Sequence, residues 1–159
     1  MSAMTWDEYR ERMLTGIRSV LTEDWTRPDD EARSVVLGVA QDGRVRILAL
    51  PEDVTVDAVR TREWLRQALP HEARRLGLQR LTFVTQAWRA PHQDGAIPPS
   101  QHPERQEIVL VVIAGAGRVE TWSGAVDRSP NLPPALGPWQ EGGPAEGRVL
   151  DLVTAALQQ

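Results

Sequence analysis

Glu107-Ile108-Val109-Leu110-Val111-Val112-Ile113-Ala114 contains the longest apolar run in the chain, from Ile108 to Ala114, and most of it is β-branched. A membrane helix needs ~20 such residues in a row, so this run is far too short to span a bilayer. Branched side chains fit a pleated surface better than a helix. An unbroken apolar stretch, with no polar residue at alternate positions, predicts a central strand covered on both faces. The covering elements must then be found on either side of it.

Toward the carboxyl end, Gly115-Ala116-Gly117 turns the chain into a partner strand, about Arg118 to Asp127. Residues 129 to 144 carry Pro130, Pro133, Pro134, Pro138 and Pro144, which predicts a loop wrapped on the surface. Val149, Leu150, Val153, Ala156 and Leu157 then mark one face of a last helix. Toward the amino end, Arg89 to Pro103 holds four prolines and reads as a long loop. Before it, Leu78 to Trp88 reads as a strand with Leu81, Phe83 and Ala87 on one side and Thr82, Val84 and Trp88 on the other.

Val56, Val59, Trp64, Leu65 and Leu69 share a helical stripe that Pro70 should kink or split, with Gly77 as its stop. Ser34–Gln41 and Arg44–Leu50 flank Asp42-Gly43, which predicts a hairpin with a two-residue type I′ turn. Glu23 to Glu31 has no period and reads as a loop. At the start, Thr5 and Glu8 form a capping box ahead of Trp6, Tyr9, Met13, Ile17, Val20 and Leu21, the apolar face of a four-turn helix.

The expected order is α-β-β-α-β-β-β-α: one α+β domain over residues 1–159, with helices covering a mostly antiparallel five-stranded sheet. This order is similar to that of profilin-like and roadblock or longin-type domains, and the resemblance implies a small binding or dimerising module. The chain's length suits one domain. There is no cysteine, so disulfides and thiolate metal sites are excluded, and a cytoplasmic location is the expectation. The amino terminus lacks the basic and apolar segments of a signal peptide.

Every basic residue is arginine. High-GC codon usage accounts for that without a functional reason, although arginine also suits bidentate contacts. Charge is uneven: residues 58–92 carry seven arginines against Glu63 and Glu72, inside a chain of net charge −4. Such a face suits solvent or an acidic partner, and no nucleic-acid motif accompanies it, so nucleic acid is not the expected partner.

Candidate chemistry concentrates between Ala90 and Glu107. His92, Asp94, His102 and Glu104 offer metal-ligand atoms, but no pair has the helical spacing of a zinc-protease motif, so no metal is expected. Ser100 and His102 share a face in an extended segment, with neither a nucleophile elbow nor an orienting acid. Glu104 and Glu107 flank Arg105, which reads as a local salt bridge. Gly115-Ala116-Gly117 joins two strands and offers no helix amino terminus to a phosphate. No cofactor is expected. Among the six tryptophans, Trp6 and Trp64 lie on helix stripes, while Trp88 and Trp139 are candidates for binding or for docking the chain's own loops.

Phe83-Val84-Thr85-Gln86-Ala87-Trp88 followed by Pro99-Ser100-Gln101-His102-Pro103-Glu104-Arg105-Gln106-Glu107-Ile108 resembles a family of uncharacterised bacterial and phage proteins. In that family a strand ending Glu-Ala-Trp leads through a loop into Pro-Ser-x-His/Asp-Pro-x-Arg-x-Glu and an apolar strand. The likeness covers about residues 80–114, extending toward Leu136-Gly137-Pro138-Trp139, and departs at Gln86, where the pattern has Glu. It implies no particular activity, cofactor or partner, but it marks His102, Arg105 and Glu107 as shared features. The candidate site residues are therefore His102, Arg105, Glu107, Trp88 and Trp139. They point to a non-catalytic binding or accessory protein acting on a protein partner or a second copy of itself. The alternative is a small hydrolase or ligand-processing enzyme working through the 89–107 loop.

Overall fold

The computed structural model describes residues 4–55, 58–89, 101, 103–115, 117–142 and 152–157. Helix α1 (Trp6–Asp24) is followed by strands β1 (Val35–Ala40) and β2 (Val45–Ala49) and the single turn α2 (Glu52–Thr55). Helix α3 (Ala58–Leu76) leads into β3 (Leu78–Arg89), β4 (Gln106–Gly115), β5 (Arg118–Asp127) and β6 (Ala135–Glu141). Residues 152–155 form a last helical turn. All neighbouring strands are antiparallel, in the order β2-β1-β3-β4-β5-β6.

The Ile108–Ala114 run is the spine of this sheet. Ile108, Leu110, Val112 and Ala114 join Leu65, Leu69, Ala73 and Val153 on one face, while Val109, Val111 and Ile113 join Tyr9, Met13, Ile17 and Leu21 on the other. A strand's two-residue period thus divides one apolar run between two cores, giving three layers: α1, the sheet, and α3 with residues 152–157.

The sheet has six strands, not five. The sixth, β6, lies in the proline-rich segment expected to be a surface loop. Proline is tolerated there because β6 is an edge strand and Pro138 sits at a bulge, where the register shifts opposite Ala125 and the ladder is already interrupted. The short turn α2 is also additional, so the element order departs from the expected one.

The hairpin differs in type. Gly43 N–H donates to the Ala40 carbonyl (2.9 Å) and Ala40 N–H to the Arg44 carbonyl (3.2 Å), and of Asp42 and Gly43 only Gly43 has positive φ (78°). This is a three-residue loop closed by a glycine bulge rather than a type I′ turn. Asp42 Oδ1 accepts from Arg44 N–H (2.9 Å), a bond that holds the bulge.

Helix α3 runs through Pro70 unbroken. Pro70 removes one backbone bond, but Leu69 and Ala73 on either side of it are buried, and their packing holds the turn. Val59, expected on the buried stripe, is exposed, and Val56 lies outside the described residues. No helix among the described residues is long and apolar enough to cross a membrane.

Candidate binding surface

Helix α1 starts from the expected capping box: Glu8 N–H donates to Thr5 Oγ1 and Thr5 N–H to the Glu8 carboxylate, each at 3.1 Å. Its polar side chains then tie it to one side of the sheet. Arg10 donates to both Glu120 oxygens (2.9 and 3.2 Å) and to Asp7 (2.8 Å). Arg18 donates to the carbonyls of Leu136 (2.9 Å) and Gly137 (2.6 Å), and Trp139 Nε1 donates to the Leu14 carbonyl (3.2 Å). Burial works against a charged Glu120, but the bonds from Arg10 and Trp122 outweigh it and hold the carboxyl below its usual range. The Trp6 indole leans on the same carboxylate without a well-formed hydrogen bond.

Guanidinium groups also lie over aromatic rings: Arg118 on Trp6, Arg10 on Trp122, Arg18 on Trp139 and Arg80 on Tyr9, at 4.9 to 5.7 Å from the ring centres. A planar, delocalised cation serves these stacks where a lysine would not. All these ties except that of Arg80 pull α1 toward β5 and β6.

One helix cannot cover six strands. A helix with its side chains is ~10–12 Å across, and six strands at ~4.8 Å spacing span ~24 Å. Because α1 is drawn toward β5 and β6, the described residues cover β1 and β2 only in part on that face: Val39 is buried, and Val35, Leu37 and Val45 are half-buried. Between α1 and these strands lies a groove of about 830 Å³ lined by Gly16, Ile17, Val20, Val35, Leu37, Val45 and Ile47, with Trp25, Asp30, Glu31 and Arg33 at one end. Val20 is 55% exposed and Ile47 68%. Val20 belongs to the apolar stripe expected from the sequence, but it faces this groove rather than the core.

The end wall of the groove depends on Glu107. Glu107 is buried and accepts from Arg128 Nε and from Arg128 Nη2 (3.1 Å), and its Oε2 also accepts from Gln86 Nε2 (2.9 Å). Arg128 reaches on to the carbonyls of Pro28 and Asp30, each at 2.8 Å, and Gln86 Oε1 accepts from Ala32 N–H (2.8 Å). Asp30 in turn accepts from the Arg27 and Thr26 amides, which hold its carboxyl below the usual range. Glu107 is therefore the centre of a clasp that fixes residues 25–34 against the sheet. Gln86 suits the place better than the Glu of the resembled pattern, because an amide can donate to Glu107 and accept from Ala32 together.

Arg105 does not make the expected bridge to Glu107; it stacks on Trp88 at 4.7 Å, and Trp88 is 38% exposed. Trp139 is half-buried, its ring under Arg18 and its N–H on α1. Trp88 in β3 and Trp139 in β6 stand three strands apart, ~14 Å across the sheet, so they do not form one site. His102, like His92, Asp94 and Ser100, lies outside the described residues. Among the described residues no group of three or more His, Asp or Glu side chains is placed to hold a metal ion. The groove residues were missed by sequence reasoning, although the width of the α1 stripe, extended by Val20, was a usable signal. Comparison with protein-family models, curated proteins and solved structures finds no match to the chain.

Proposed function

We propose that the chain is a binding or accessory domain acting through protein–protein contacts, and that the groove between α1 and the β1–β2 strip is where it binds. A single observation carries this reading: Val20 of α1 and Ile47 of β2 are exposed along one groove, beside the half-buried Leu37 and Val45. Burying a residue of this kind is worth ~1.5–3 kcal/mol, so the fold forgoes several kcal/mol on this strip. A partner's apolar side chains would recover that energy. The clasp around Glu107 then serves by holding the end wall of the groove in place. The partner is a protein, either a second copy or another chain.

The test is photo-crosslinking with benzoylphenylalanine at Val20 and, as control, at Arg66 on the exposed side of α3. Protein adducts at Val20 and none at Arg66 are expected. Equal yields at the two positions, or none at Val20, would overturn the reading.

A further inference from the structure

The two edges of the sheet are not alike. On β6 the outer backbone is blunted: a bulge at Gly137 and Pro138, opposite Ala125, breaks the line of the strand, and Arg18 occupies the Leu136 and Gly137 carbonyls. Edge strands are commonly protected in such ways. β2, by contrast, holds no proline or bulge from Val45 to Ala49, and among the described residues no side chain bonds to its backbone. The hairpin bonds fix which of its groups are free. Since Ala40 and Arg44 are a bonded pair, Arg46 and Leu48 bond back to β1. Val45, Ile47 and Ala49 therefore direct their N–H and C=O outward.

We infer that β2 pairs antiparallel with β2 of a second copy about a two-fold axis at Ile47, joining two sheets into one. This rests on the reading of the β1–β2 strip as a binding surface and names one occupant beside it. Only the register centred on Ile47 matches all three outward-facing residues, Ile47 with its counterpart and Val45 with Ala49, while the ends of both strands coincide. Pro51 stops the pairing just beyond. Charge is complementary in the same register. Arg44, 76% exposed and 3.9 Å from its own Asp42, lies at one end of the paired strands, and the other copy's Glu52 follows Pro51 at that same end, twice by symmetry. Arg46 is already paired to Asp42 (3.3 Å), which offsets its approach to its own counterpart. Ile47 packs on its counterpart, and the two open strips merge into one trough floored by β1 and β2 of both copies and walled by the two α1 helices.

Pairing five residues buries less than a standard interface of ~1,600 Å², so the dimer should be concentration-dependent. Sedimentation equilibrium of the full chain up to about 1 mM should show the mass rising from 17.7 kDa toward twice that value. A mass of 17.7 kDa throughout would overturn the inference. The chain has no cysteine, so a single introduced thiol reports without background. Ile47→Cys should give a disulfide-linked dimer on oxidation, since bonded antiparallel pairs place Cα atoms ~5.5 Å apart, within disulfide reach. Arg46→Cys, diagonal to its counterpart, should not. Ala49→Pro removes an outward N–H, so it should leave the monomer folded and weaken association at least about tenfold. A dimer in which Arg46→Cys links as readily as Ile47→Cys would place the interface elsewhere and sink the proposal. A strictly monomeric chain with adducts at Val20 would discard the edge pairing and keep the groove. A cross-linking Ile47→Cys dimer without Val20 adducts would do the reverse.

Discussion

Tyr9 is the one tyrosine of the chain; it is fully buried, and its hydroxyl shares a 2.8 Å hydrogen bond with the equally buried Thr82. Burial pushes its pKa up to about 12, against smaller opposing contributions from Thr82 and Arg80. Tyrosine in an unfolded chain ionises near pH 10, so the folded state holds this proton more tightly. The stability this proton confers is complete below about pH 10 and is lost as pH rises toward 12, on the order of 2–3 kcal/mol in all. With no lysine or cysteine to titrate alongside, alkaline denaturation should follow phenolate absorbance closely. Tyr9→Phe should remove this pH dependence. It should also cost about 1–3 kcal/mol at neutral pH by leaving the Thr82 hydroxyl buried without its partner.

The resembled motif divides at the same scale. Arg128→Met leaves Glu107 buried with Gln86 as its remaining side-chain donor and should cost about 2–4 kcal/mol in denaturant unfolding. Arg105→Met loses a cation–π contact beside the exposed Trp88 and should cost less than about 1 kcal/mol. Sequence reasoning picked out Glu107 and Arg105 but joined them to each other. The true partner of Glu107, Arg128, lies 21 residues away across the β4–β5 hairpin, a distance no local spacing reveals.

At the scale of elements, what could be read from the chain was whatever local periodicity encodes. The β4 run followed from its unbroken β-branched stretch, the start of α1 from its capping box, and the buried half of α3 from a period of 3.6 residues. Strand β6 did not, because its five neighbouring prolines outweigh the short Ala135–Glu141 stretch in any local reading. Its pairing depends on Gly124 instead. A Cβ there would meet Leu136 Cδ1 at 2.7 Å and the Trp139 ring at 3.3 Å, so only glycine lets β6 lie flat on β5. Gly124→Ala should destabilise by about 1–3 kcal/mol and loosen α1, since Arg18 and Trp139 join helix and strand. Amide exchange should then quicken in both α1 and β6, with β1 and β2 unaffected.

For the whole molecule, the decisive feature is a mismatch of widths. The α+β class and the two-faced burial of β4 were legible in the sequence. The open strip was not, because a helical stripe says how much apolar surface a helix carries but not where along a sheet the helix will sit. That position is set by Arg10, Arg18 and Trp139, whose partners are more than a hundred residues away in the chain. Exposed strip residues should tolerate change in the isolated domain: Val20→Thr and Ile47→Thr should each cost less than about 0.5 kcal/mol, against 2–4 for Val111→Ala in the core.

Methyl NMR of the full chain, diluted to where sedimentation shows only the monomer, with a soluble paramagnetic probe tests the open strip most directly. Val20 and Ile47 methyls should broaden strongly, Leu37 and Val45 to an intermediate degree, while Val109 and Val111 stay sharp. Val20 and Ile47 methyls as well shielded as those of Val111 would mean that this face is covered, and would contradict the account.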